Sequence, residues 1–259
     1  MAEPRQAGTL ARTHEGQPGL PRGRSSLPQQ DVRASQRRRL LRSAIAVVSE
    51  SGYQQVTVAD IVRRAKVSRG AFYEHFANKE ECFLAATAEG RELMLARVVS
   101  EARALSEARG VSEARDVSGA RAASEGRDAS EASADAVEED LLRGAIRGYL
   151  AFLRDEPAFA RVFYLHMPAA GEAAARRLDA GPRIFANLNR TWHERGRKRH
   201  PEWPVLPDEA YLALAGATVE LVRSLVYSDR TEALPELEDT VVALHLTVMT
   251  GRPWPAVPS

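Results

Sequence analysis

The chain has 259 residues, 44% apolar and 27% charged, and its formal net charge is only +1. That is enough apolar material for one large domain or two smaller ones, while the single cysteine, Cys82, excludes an intramolecular disulfide and a thiolate metal cluster. With no run of about 18 apolar residues and no apolar signal core at the start, the expectation is a cytoplasmic protein that neither spans a membrane nor is exported.

Residues 1–32 carry Gly8, Gly16, Gly19, Gly23, Pro4, Pro18, Pro21 and Pro28 with few large apolar side chains, which predicts a disordered tail. From Ser35 to Ser51 the apolar residues Leu40, Leu41, Ala44, Ile45, Val47 and Val48 fall at helical spacing, and Gly52 is placed to end that helix. Arg37, Arg38, Arg39 and Arg42 load its first turns with positive charge. Between Thr57 and Lys79 lie two short helices. Thr57 with Asp60 forms a capping-box pattern that starts one at Val58, and Ser68 caps a second near Arg69 after a brief link. Phe72 and Phe76, four apart, share the inner face of that second helix. Asn78 with Glu81 repeats the cap and starts a third. Two capped helices around a tight turn, basic and aromatic outside, make a helix-turn-helix. Residues 33–80 hold ten basic side chains against four acidic ones, a net +6, which leaves −5 for the remainder. A polyanion would dock on this module alone.

The spacing of Thr57, Ala65, Val67-Ser68, Tyr73, Phe76 and Lys79, with Gly52-Tyr53 upstream, resembles the DNA-binding domain of the TetR family of bacterial transcription regulators. The likeness is strong over residues 37–85 and elsewhere rests only on all-helical character. It implies an all-α fold: a three-helix DNA-binding domain, then a helical bundle that binds an effector and dimerises. On the second helix Arg69, Gly70, Tyr73 and Glu74 face out, with Ala71 and His75 on the flanks. Arg69 can read guanine or touch phosphate, and Gly70 allows close backbone approach. Ala71, where the family often has a hydroxyl, can touch a thymine methyl; His75 is a further phosphate candidate. By the resemblance Thr57, Tyr73 and Lys79 contact phosphates, so the expected DNA-binding set is Thr57, Ser68, Arg69, Gly70, Ala71, Tyr73, His75 and Lys79.

After Asn78 a connecting helix, residues 81–99, carries Cys82, Phe83, Leu84, Leu93, Met94, Leu95 and Val98. Ser100-Glu101-Ala102-Arg103 then recurs at Ser106 and Ser112, with decayed copies from Ser118, Ser124 and Ser130. Six residues on an α-helix turn through about 600°, so no continuous apolar stripe forms. Residues 100–135 therefore read as a linker or a solvated helix extension. Apolar spacing returns over residues 136–250, with stops at Pro157, Pro168 and Gly171 and an interruption or kink at Gly181-Pro182; residues 251–259 form a tail.

The last two helices, Asp208 to Tyr227 and Leu237 to Met249, are apolar nearly all round. They need more cover than one chain gives, which predicts a homodimer through a four-helix interface and hence a pseudo-palindromic operator in double-stranded DNA. A small-molecule effector would enter the C-terminal bundle, where Phe152, Phe163, Met167, Phe185, Trp192 and Tyr211 are candidate lining residues. His166, His193, His200 and His245 lack metal-ligand spacing, so neither a metal nor a cofactor is expected. No nucleophile-base set or phosphate loop supports an enzyme. A repressor released by its ligand is the expected function, and an architectural DNA binder without a sensor is the alternative.

Overall fold

The computed structural model describes residues 8–12, 28–119 and 128–255. Every element among them is helical. In chain order they are α1 (Gln29–Ser51), α2 (Val58–Ala65), α3 (Arg69–His75), α4 (Lys79–Gly119), α5 (Asp128–Asp155), α6 (Pro157–Arg161), α7 (Glu172–Arg197), α8 (Asp208–Tyr227) and α9 (Glu238–Thr250). A π turn (Val162–His166) and a 3-10 turn (Met167–Ala170) follow α6, and a 3-10 segment (Thr231–Leu237) precedes α9.

The chain divides into two compact units that do not follow its order. The first gathers the N-terminal residues to Leu93 with Leu153–Asp179 and Val226–Thr231; the second gathers Met94–Phe152, Ala180–Leu225 and the chain from Glu232. α4, α5, α7 and α8 each contribute to both units.

In the first unit Leu40, Ile45, Ile61, Phe72, Phe83 and Phe159 are fully buried. Gly90 on α4 lets the Phe159 ring in: a Cβ there would lie 2.1 Å from it. The 3-10 turn is tied to the α1–α2 link by Gln54 Nε2 donating to the Ala169 carbonyl at 2.6 Å, and the start of α7 is tied to α4 by Arg177 Nη1 donating to the Leu84 carbonyl at 2.9 Å. Cys82 is wholly buried and its thiol is pushed up to about 12 by desolvation, so it packs as a small apolar group.

Two expectations need correction. First, α1 starts at Gln29, six residues before Ser35, and Gly8–Arg12 is not free chain: Leu10 and Ala11 are buried. The backbone N–H groups of Thr9 and Leu10 donate at 2.8 and 2.9 Å to the buried carboxylate of Glu156, which gives this short polar stretch a partner that composition cannot show. The rest of the expected tail, residues 1–7 and 13–27, lies outside the described residues, as do 120–127 of the repeat and 256–259. Second, Pro182 sits inside an unbroken α7. The repeat, expected as a linker or a helix extension, is helical in backbone over 100–119 and again from Asp128.

The second unit is held by close helix approach. At Gly144 a Cβ would stand 2.7 Å from Ala102 Cα and at Gly148 3.0 Å from Val98 Cα, so α5 lies against α4 backbone to backbone. Arg143 and Arg147 of α5 pair with Glu238 at the start of α9 at 3.1 and 2.8 Å. Trp192 stacks on Trp203, ring centroids 5.6 Å apart, and its indole N–H donates to the Glu138 carbonyl at 2.7 Å.

Candidate nucleic-acid interface and effector cavity

The helix-turn-helix is built by its caps. The Thr57 backbone N–H donates to Asp60 Oδ2 at 2.9 Å, and the Asp60 N–H returns to Thr57 Oγ1 at 3.3 Å. The Thr57 hydroxyl, which donates to Asp60 Oδ2 at 2.6 Å, then the Thr57 backbone N–H and Arg63 hold the Asp60 carboxyl near 2, well below the usual carboxylate range. Lys66 closes α2 in the left-handed region at φ 53, and Ser68 Oγ accepts the Ala71 N–H at 3.1 Å to open α3. Phe72 and Phe76 are buried, their rings 5.8 Å apart, so the face of α3 that carries Arg69, Gly70, Tyr73 and Glu74 is turned out and all four residues are exposed. The Arg69 guanidinium lies 5.8 Å from the Tyr73 ring centroid. Gly70 meets nothing closer than Ser68 Oγ, 3.9 Å from a would-be Cβ. Internal packing therefore does not require a glycine there.

Other expected contact residues are placed differently. Ala71 is buried, because α3 packs on both α1 and α2 and its inner face is wider than the Phe72–Phe76 stripe. His75 is half-buried with Nε2 unpartnered, and burial lowers its pKa, which keeps the ring neutral. Thr57 and Ser68 are exposed, but their hydroxyl oxygens serve the caps. Lys79 Nζ donates to the Tyr53 and Val56 carbonyls at 3.0 and 2.8 Å and sits 4.2 Å from the Tyr53 ring centroid, so two of its three donors fix the turn before α2. Of the α1 arginines, Arg39 is buried while Arg37 and Arg38 are exposed. Sequence spacing could not separate these fates; the widened inner face comes from the third helix.

The six candidate effector residues do not converge. Phe163 and Met167 belong to the first unit and border a gap of about 10 Å³. Trp192 is stacked, and the Tyr211 hydroxyl is hydrogen-bonded to His193 Nδ1 at 2.7 Å. Phe152 is buried and borders neither this gap nor the larger cavity. Only Phe185 lines that cavity, an apolar space of about 60 Å³ in the second unit bounded by α4, α5, α7, α8 and α9. Tyr149, Asn189, Thr218 and His245 line it too and escape a search for aromatic residues. Their signal is polar: Asn189, Thr218 and His245 each interrupt an apolar helix face, and each is at least nine-tenths buried.

Residues 40–86 match the family model described as bacterial regulatory proteins, tetR family. The chain carries a TetR-family DNA-binding domain. Over 43 residues it is 44% identical to the A-factor receptor protein of Streptomyces griseus, 17% of this chain and 16% of that one. Over 71 residues it is 38% identical to the HTH-type transcriptional repressor AcnR of Corynebacterium glutamicum, 27% of this chain and 37% of that one. The matches thus span well under half the length of these relatives. Beyond that region the fold carries the likeness. The fatty acid degradation regulator FadR of Bacillus halodurans superposes with a TM-score of 0.58 at 20% identity, covering 83% of this chain and 98% of that one. FadR of Bacillus subtilis, solved with stearoyl-CoA, superposes at 0.61 with 18% identity, covering 81% and 97%. Over the described residues the fold is therefore a TetR-type helix-turn-helix followed by further helices, as in these neighbours.

Proposed function

We propose that this TetR-family protein is a dimeric transcriptional repressor that leaves its operator when a small molecule occupies the second unit. The observation that carries the reading is the outer face of α3, where Arg69, Gly70 and Tyr73 stand exposed on a helix anchored by Phe72 and Phe76. Arg69 reads a base edge, Gly70 lets the backbone close on the groove, and Tyr73 and the third donor of Lys79 meet phosphates. Assembly follows from α8. It has a mean hydropathy of 1.2 over its most apolar stretch, yet only 28% of that stretch is buried in the single chain. Leu212 and Ala213 are exposed and Gly216 faces open space, so a second copy is the natural cover, with α9 beside it. Two α3 helices then read a two-fold operator from the cytoplasm. Effector control is supported by the cavity and by the same fold being seen with stearoyl-CoA in FadR of Bacillus subtilis.

Selection of bound duplexes from a random pool, on the full-length protein, tests this. A two-fold consensus is expected, and Arg69→Ala should relax base choice at one position per half-site by about 1–3 kcal/mol. Binding indifferent to sequence would refute the regulator reading.

A further inference from the structure

The cavity of the second unit has an uneven lining. Leu142, Ile146, Tyr149 and Phe185 form apolar walls, and none of the residues that line it is Asp, Glu, Lys or Arg. Against that background Asn189 is 8% exposed and its amide makes no hydrogen bond among the described residues. Its donors and its acceptor, engaged by no protein group, are therefore open to whatever occupies the cavity it lines. Two further polar groups line the same space. Thr218 Oγ1 donates to the Leu214 carbonyl at 3.1 Å, which leaves its lone pairs as acceptors. His245 Nδ1 donates to the Val241 carbonyl at 2.8 Å, so in the neutral ring Nε2 carries no proton and accepts. Burial lowers the His245 pKa and keeps the ring neutral. The rim is apolar and open: Leu188 is 46% exposed.

We infer that this cavity binds an uncharged, mainly apolar small molecule bearing one hydroxyl or amide group, which the Asn189 amide holds with Thr218 and His245 alongside. A carboxylate or ammonium would lose its hydration against walls that offer no counter-charge. A pure hydrocarbon would leave the Asn189 amide unsatisfied. A hydroxyl or amide both donates and accepts, which matches one free amide beside two acceptors, and its chain can run out past Leu188. The inference rests on the ligand-responsive reading above and adds the class of ligand.

A head-group series on one chain tests it: 1-hexanol, hexanamide, 1-chlorohexane, hexanoate and hexylammonium, titrated into the full-length protein at pH 7.5 and followed by NMR of the side-chain amides. Hexanol and hexanamide should bind at least about tenfold more tightly than the other three, the equivalent of one net hydrogen bond. Asn189→Leu should bring the hexanol to chlorohexane ratio to about one while chlorohexane still binds. Thr218→Val should reduce that ratio part-way, and it keeps the test open should the leucine variant not fold. Hexanoate binding as tightly as hexanol, or an unchanged ratio in Asn189→Leu, overturns the inference. Binding of the selected operator is measured on the same samples. Operator binding without head-group discrimination overturns the ligand class alone, whereas discrimination without operator binding overturns the regulator reading and supports the site.

Discussion

Gly70 separates a residue kept for the fold from one kept for DNA. An added methyl meets only Ser68 Oγ at 3.9 Å, ordinary van der Waals contact, and Gly70 is not among the glycines with positive φ. Gly70→Ala therefore introduces no clash or strain, and it removes the backbone entropy that glycine loses in a helix, a gain of about 0.5–1 kcal/mol. In a chain of this size that corresponds to a rise in melting temperature of about 1–4 °C. On DNA the sign reverses. The methyl stands on the exposed face of α3 between Arg69 and Tyr73, so the helix must back away from the groove, and affinity should fall about tenfold or more, roughly 1.4 kcal/mol. Calorimetric melting and fluorescence anisotropy on the selected operator, at one fixed salt concentration, measure both numbers on one sample. A more stable protein that binds DNA less well supports the placement. Unchanged or tighter binding, or a lowered melting temperature, would refute it.

Lys79→Met removes the two donors that hold the Tyr53 and Val56 carbonyls and should destabilise the first unit by about 1–3 kcal/mol, read by chemical denaturation; unaltered stability would mean that the ammonium is dispensable to the turn. Gly144→Ala puts a Cβ 2.7 Å from α4 backbone, where overpacking of about 1–3 kcal/mol outweighs the helix-propensity gain, so it should lower the melting temperature more than Gly148→Ala, whose nearest atoms are at 3.0 Å. The reverse order would place the tight helix crossing elsewhere. Acid should weaken the fold before any carboxylate titrates. Burial lowers the pKa of His75, His166, His193 and His245 below the ordinary 6.5. The unfolded chain then binds protons that the folded one refuses, and stability held above about pH 6.5 is lost as pH falls below it. A melting temperature flat between pH 7.5 and 5 would contradict this. Asp60, held near 2, adds stability that persists to much lower pH and goes only as pH falls toward 2.

Short-range chemistry was legible in the sequence and long-range chemistry was not. The Thr57–Asp60 box, the Ser68 cap and the Asn78–Glu81 bond at 2.9 Å depend on residues three apart, so their spacing alone specifies them. The Phe72–Phe76 stripe fixes which side of α3 faces in by the same logic. Ala71 escaped because its burial depends on a neighbouring helix that spacing within α3 does not describe. The Glu156 anchor for Thr9 and Leu10 escaped for a stronger reason: the partners are about 146 residues apart, and neither end carries a pattern that announces the other. The cavity was hidden differently again. Aromatic residues suggested a pocket, but Phe163 and Trp192 stack on Phe159 and Trp203, and the open space is marked by polar residues standing in apolar helices.

The repeat unites these lessons. A period of six turns each copy by about 240° relative to the last, so side chains from successive copies never align into a surface that another helix could grip. The first copy lies beside the apolar part of α4, and the contact there is made by backbone: Glu101 and Ala102 present backbone to Gly144, and Arg97 and Val98 present backbone to Gly148. The two glycines are four residues apart on α5 and so share one face. What the repeat lacks in apolar side chains, the partner helix supplies by having none at the crossing. Beyond this crossing α4 runs on to Gly119 as helix favoured by its Ala, Glu and Arg content. The pairing of a patternless repeat with a Gly-x-x-x-Gly helix is thus one feature written in two distant parts of the sequence.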